Sequence, residues 1–219
     1  MLTLQEAEDQ VRVLTRHVGD TTRLTQPALR GHLNAAYRQR RRWLRAEGPK
    51  GEPAPAPELY LLVSPELEVG QDDDIQLSSV SVDFEAIFRV DYKVGDCWDL
   101  VELADPLAYN RHAVGGPTYR REGDYLFIGP DVRATYTIRV LYYENPPALD
   151  EAADVFAVPE ALERPVLYEA CAFVAVADQD DPAGHLSLLT GALAEAKAAL
   201  KTSKGRHPQR AGLRKVMGY

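Results

Sequence analysis

The stretch GPKGEPAPAP, residues 48–57, holds four prolines and two glycines. No helix or central strand passes through such a run, because proline removes a backbone donor and clashes with the preceding turn. The spacing of apolar residues also changes there. Before it they recur every three or four positions, the period of one helix face; beyond it they alternate, the period of one sheet face. The helical period returns near residue 159. A chain ordered in this way is neither all-helical nor all-β. It reads as an α+β fold: a discontinuous four-helix bundle with an inserted, mainly antiparallel β-sheet or small β-barrel, and an extended C-terminal arm. The expected boundaries are 1–48 for two helices, 49–158 for the Pro-rich link and β insertion, 159–204 for two more helices, and 205–219 for the arm.

Thr3 and Glu6 have the spacing of a capping box, in which each side chain satisfies a free backbone N–H of the other. Leu4, Ala7, Val11, Leu14 and Val18 then form one stripe, ended by Gly19 and Asp20. Thr25 and Pro27 open a second helix with Leu29, Leu33, Ala36, Arg40 and Trp43 or Leu44 in its period and Tyr37 beside them. Pro159 or Pro165 opens a third, whose ACAFVAVA run (170–177) is apolar on every side and belongs at the centre of a bundle. Asp181-Pro182 starts a fourth, with Leu186, Leu189, Leu193, Ala196 and Leu200 in register and Gly205 as its stop. In the middle, Phe84, Ala86, Phe88, Val90 and Tyr92 alternate with polar neighbours, and Tyr136, Ile138, Val140 and Tyr142 repeat the pattern. Val94-Gly95-Asp96 and Glu122-Gly123-Asp124 carry turn chemistry for two hairpins. Asp105-Pro106 is the one helical signal of the insertion, a short turn through about Arg111.

Sites for chemistry are missing from this pattern. His17, His32, His112, His185 and His207 are scattered, with no spacing that pairs two of them on a helix face as metal ligands. GxxxxGK[ST], GxGxxG and GxSxG do not occur. Asp72-Asp73-Asp74 lacks the alternation, glycine and distant glutamate of a calcium loop and reads as a solvated loop. Cys97 and Cys171 stand 74 residues apart with no zinc spacing; both read as inert thiols, Cys171 in the core. No enzyme, cofactor or metal is expected. With no long apolar run and an acidic N-terminus, neither export nor membrane insertion is expected, and assembly in a cytosol is.

Charge is informative by region. Residues 1–48 carry 9 Lys+Arg against 5 Asp+Glu, residues 49–158 carry 8 against 21, and residues 159–219 carry 8 against 7, within a net charge of -8. An acidic body therefore bears two basic features. The run Arg38-Gln39-Arg40-Arg41-Arg42-Trp43-Leu44-Arg45 spreads its arginines round the helix; Arg38, Arg41, Arg42 and Arg45 are candidates for pairing with the acidic middle region inside the molecule or across a subunit boundary, with phosphate contact or plain solvation as alternatives. The C-terminal stretch from Lys201 on, the end of the last helix and the arm, has six cations and no acid, yet also Leu213, Val216, Met217 and Tyr219. Such a mixture suits docking on a protein, basic groups steering and apolar ones anchoring, with nucleic-acid contact or no role as the other readings.

Three local sequences, LNAAYRQRRRWL (33–44), TIRVLYYENPPAL (137–149) and FAVPEALERPVLYEACAFVAVA (156–177), in this order of elements, resemble the head-to-tail connector (adaptor, or neck) proteins of tailed bacteriophages. The insertion looks closer to the β-bearing adaptors of short-tailed phages than to small siphophage members. The resemblance implies a non-enzymatic virion protein of the neck: a homo-oligomeric ring, commonly twelve-fold, that binds the portal protein, continues the DNA channel and offers a platform to the tail or tail-tube protein. It also implies that the arm docks on the portal, assigning Arg206, Arg210, Leu213, Arg214, Lys215, Val216 and Tyr219 to that contact, while DNA slides through without specific binding. A closed ring needs two different patches on each subunit, and the basic second helix against the acidic β region is the candidate pair. A tail-completion or terminator protein and a nucleic-acid-binding regulator are the alternatives.

Overall fold

The computed structural model describes residues 1–19, 22–47, 52–70, 74–103, 117–129 and 135–203. Asp72, Asp73, the expected turn from Asp105 through about Arg111, Gly205 and the whole arm lie outside these. The described residues form two compact units, one from Met1–Leu59 with Pro147–Tyr219 and the other from Tyr60–Pro146.

The first unit is helical. Helix α1 (Leu4–Leu14) is opened by the expected capping box: Thr3 Oγ1 accepts from the Glu6 N–H at 3.2 Å and Glu6 Oε2 accepts from the Thr3 N–H at 2.9 Å. It stops a turn earlier than expected. Thr15 is its C-cap and Arg16 has φ +62°, a left-handed conformation that ends the helical path. Leu4, Ala7 and Val11 are fully buried, whereas Leu14 is 40% and Val18 71% exposed. The stripe thus outlasts both the helix and its cover.

Helix α2 (Gln26–Arg45) has Pro27 in its first turn, and Thr25 holds the N-cap position without a side-chain hydrogen bond. Leu29, Leu33, Ala36 and Leu44 are buried, and Tyr37 packs edge-on against Phe156 at 5.4 Å. The Pro-rich link stays attached to this unit through the Ala56 N–H, which donates to the Leu44 carbonyl at 2.8 Å. A 3-10 turn, Glu160–Leu162, leads into the apolar helix Glu163–Ala177, and the last helix is Ala183–Ser203. These are α4 and α5, because a four-residue helix, α3 (Leu77–Val80), precedes them in the other unit. Helix α4 packs against α1, α2 and α5, as its apolar circumference requires. In α5, Leu189, Ala192, Ala196 and Leu200 are buried, but Leu186, expected in the stripe, is 46% exposed.

The second unit is a curled mixed sheet, an open half-barrel. Its strands are β1 (Leu62–Val63), β2 (Leu67–Val69), β3 (Asp74–Gln76), β4 (Phe84–Val94), β5 (Cys97–Leu103), β6 (Thr118–Glu122), β7 (Tyr125–Gly129) and β8 (Tyr136–Glu144). The order is β1-β8-β4-β5-β6-β7-β3, with β2 also on β8. Pairing is antiparallel except between β5 and β6, which run parallel through Glu102 opposite Thr118 and Leu103 opposite Tyr119. Both expected hairpins are present with two-residue loops, Val94 facing Cys97 and Glu122 facing Tyr125. Gly95 and Gly123 supply φ of +61° and +60°, which a Cβ disfavours.

The alternation in β4 is corrected by two β-bulges, between Phe84 and Ala86 and between Ile87 and Arg89. Each extra residue reverses which side chains face inward. Ile87 therefore packs on the core while Phe88, expected there, is 41% exposed and lies edge-on to Tyr143 at 5.9 Å. Strand β8 has no such break, and Ile138, Val140 and Tyr142 face the core with Val90, Val101 and Leu126. Strands β1 to β3 and α3 carry too few residues for a period and were not expected individually.

Candidate functional site

Helical geometry sorts the arginine run of α2. Arg40 points inward and is buried, while Arg38 and Arg42 are exposed and Arg41 and Arg45 half-buried. At 100° per residue, Arg38, Arg42 and Arg45 fall within one narrow arc with Arg41 beside them. The candidates therefore make one outward basic stripe, not the all-round spread expected, because the fifth arginine is taken into the core.

Arg40 forms a two-pronged ion pair with Glu169 of α4. Nη2 donates to Oε1 at 2.7 Å, and Nε lies 2.6 Å from Oε2. Both residues are about as enclosed as the aliphatic core around them, at 5% and 3% exposure. Burial pushes the Glu169 carboxyl up from the usual range, with the guanidinium pulling the other way. The pair forms the polar floor of a groove of about 330 Å³ between α2, α4 and α5, otherwise lined mainly by apolar side chains, among them Phe173, Val176 and Leu193. A carboxylate one residue before ACAFVAVA was the sequence signal for this pair, since a charge entering an all-apolar helix needs a cation to meet it.

Two histidines gather at the far end of α4. His17 Nε2 lies 2.7 Å from Asp178 Oδ2, which ties the segment after α1 to the C-terminus of α4. His32 of α2 sits 6.4 Å from the Phe173 ring, and burial lowers its pKa against the pull of Asp178. A hollow of about 360 Å³ between α1 and α4 exposes Val13 and Leu14 beside Arg164 and Tyr168.

In the sheet unit, Asp91 is 2% exposed and gathers two arginines. Arg139 Nη2 donates to its Oδ2 at 2.9 Å, and Arg89 Nε lies 2.7 Å from Oδ1. The Arg139 guanidinium carbon stands 4.3 Å from the Trp98 ring centre and Lys93 Nζ stands 5.7 Å from it, a cation–π arrangement with one buried and one exposed cation. Lys93 reaches on to Glu66 at 3.1 Å. These contacts tie β4 to β8 and to the β4–β5 hairpin across the sheet. The strand period was legible, but their cross-strand meeting depends on register, which sequence spacing does not supply.

Among the described residues no group of three or more His, Cys, Asp or Glu is placed to hold a metal ion, and no helix is long and apolar enough to cross a membrane. Cys171 is buried, its thiol pushed up to about 12 by desolvation. Cys97, read as an inert thiol, is exposed at the β4–β5 turn. Arg206, Arg210, Leu213, Arg214, Lys215, Val216 and Tyr219 lie outside the described residues.

The chain matches the family described as SU10 adaptor protein over residues 2–213, through both units and into the arm. No match is found among curated proteins.

Proposed function

The chain belongs to the SU10 adaptor protein family, and from that premise we propose that it is a structural protein of a phage neck, joining head to tail, and has no catalytic role. The single observation that carries this reading is that the family match spans residues 2–213, so that the helices, the inserted sheet and most of the arm belong to one adaptor pattern. The protein assembles as a ring of identical subunits, twelve-fold as is common for connectors, beneath the portal protein. Its C-terminal arm, through Arg206, Arg210, Leu213, Arg214, Lys215, Val216 and Tyr219, docks on the portal, and the opposite side receives the tail or tail-tube protein.

Charge supports the reading in two ways. The outward stripe Arg38, Arg41, Arg42 and Arg45 is one half of a heterologous subunit contact, and the excess acid of residues 49–158 offers the other. An acidic body also repels phosphates, so DNA slides through the channel without sticking. Assembly in the host cytoplasm and a place in the virion neck follow.

The test is the mass of the full-length protein, alone and mixed with the portal of its own phage, beside a form truncated after Lys204. A complex with portal that the truncation abolishes is the expected result. Full-length protein that ignores portal at micromolar concentration overturns the reading. A steep salt-dependent affinity for DNA in its place favours the nucleic-acid regulator.

A further inference from the structure

The turn that joins two lining residues of the groove between α2, α4 and α5, Val176 and Pro182, is acidic. The groove's apolar walls are Ala172, Phe173, Val176, Leu186, Leu189 and Leu193, and two of them stay open to solvent, Val176 at 61% and Leu186 at 46%. Between Val176 and the next lining residue, Pro182, the chain runs Asp178-Gln179-Asp180-Asp181, with Asp180 and Asp181 exposed. From Pro182 to Ala194 the sequence has no Asp, Glu, Lys or Arg, although Leu188 and Gly191 on that stretch face outward. A surface helix three turns long without a charge is built to be covered.

The segment that follows Ser203 has the complementary chemistry. Residues 204–219 carry Lys204, Arg206, Arg210, Arg214 and Lys215, no acid, and the apolar Leu213, Val216, Met217 and Tyr219. The reach also matches. From Leu186 to Ser203 the α5 axis covers about 26 Å at 1.5 Å per residue, and ten extended residues from Lys204 to Leu213 span about 33 Å. A chain turning back along α5, past Glu195, Lys197 and Lys201 and onto its uncharged stretch, brings Leu213 level with the groove and its basic groups to the exposed Asp180 and Asp181.

We propose that in the free protein the C-terminal arm seats its apolar end, Leu213 to Tyr219, in the α2–α4–α5 groove of its own chain, held by the acidic turn Asp178 to Asp181. This inference rests on the portal-docking reading of the arm and adds its regulation: the seat and the portal compete for the same residues. Premature docking is suppressed by the fraction of arms that are seated, since apparent affinity falls with the population of the competent form.

The experiment is limited trypsin cleavage of the full chain, followed by mass for cuts after Arg206, Arg210, Arg214 and Lys215. Wild type is compared with Val176→Glu/Leu186→Glu, two exposed positions that leave the core untouched, and with Leu213→Ser/Val216→Ser, which leaves the whole body untouched. Both variants lose the arm at least fivefold faster than wild type, and raising salt from 0.05 to 0.5 M speeds cleavage of wild type alone. Equal rates in all three proteins overturn the proposal. Protection that grows with protein concentration overturns the own-chain seat and gives the groove to a neighbour's arm. Portal binding is read separately: the groove variant binds about fivefold more tightly than wild type. If neither binds, the portal reading fails, while the cleavage comparison still decides whether the groove holds the arm.

Discussion

Replacing Arg40 by methionine keeps most of the side-chain volume and strands the Glu169 carboxylate among α2, α4 and α5. Both partners are buried, at 5% and 3% exposure, so solvent screens little of the effect. Breaking one half of such a pair costs about 3–5 kcal/mol, because the remaining charge is left uncompensated. In a chain of this size that corresponds to a melting temperature lower by roughly 6–20 °C. The double variant Arg40→Met/Glu169→Met should return to within about 1 kcal/mol of wild type or exceed it, since two desolvation penalties vanish together with the attraction. The pH dependence has a definite sign. The Glu169 pKa is already raised by burial, and losing the guanidinium raises it further. A carboxyl whose folded pKa exceeds its unfolded value binds more protons when folded, so its contribution is present below the unfolded pKa and is lost as pH rises through the folded one. Arg40→Met should therefore regain stability as pH falls from 7 towards 5, and Arg40→Met/Glu169→Gln should not. Urea unfolding followed by helical circular dichroism at both pH values measures all of this. A loss below about 1 kcal/mol for Arg40→Met, or one indifferent to pH, would refute the enclosed pair.

Three further outcomes are expected. His32→Gln should flatten the stability profile just below pH 6.5: the lowered pKa of His32 means that the unfolded chain takes up its proton first, so wild type loses stability as pH falls through that window, which urea midpoints at pH 7 and 5.5 would show. A thiol reagent should label one cysteine per native chain, the exposed Cys97, and two after unfolding, because Cys171 is buried with its thiol pKa near 12; two fast labels in the native state would contradict the packing of α4. Gly123→Ala should cost about 1 kcal/mol through its φ of +60° alone, while Gly191→Ala, in a helix with open space around its Cβ, should stabilise by about 0.5–1 kcal/mol, measured in the same titration.

Long periodic segments were readable from residue spacing: the capping box at Thr3, the central place of α4 and the inward face of β8 each followed from one local pattern. What escaped depended on contacts between segments. The parity of β4 turns on two bulges that its partner's register imposes, so Phe88 and Ile87 exchanged roles. The end of α1 was set by Arg16 at positive φ, although the apolar spacing ran on to Val18. In the arginine run the apolar period of α2 already set Arg40 on the inward face, but its meeting with Glu169, some 130 residues away, is not contained in that spacing. The basic stripe remained as the outward remainder once that choice had been made.

The position of α4 also bears on how the chain is made. Its first two helices leave the ribosome roughly 120 residues before the helix that buries their apolar faces, and at about 5–20 residues per second the wait is on the order of ten seconds. During that time the whole sheet unit emerges and can close on its own core, while Leu29, Leu33 and Tyr37 have no lasting partner. The exposed face of α2, with Arg38 and Arg42, keeps charge on these two helices throughout that interval. Messenger that slowed translation between the two halves would lengthen this exposure and lower the yield of folded subunits without altering a single contact in the finished protein.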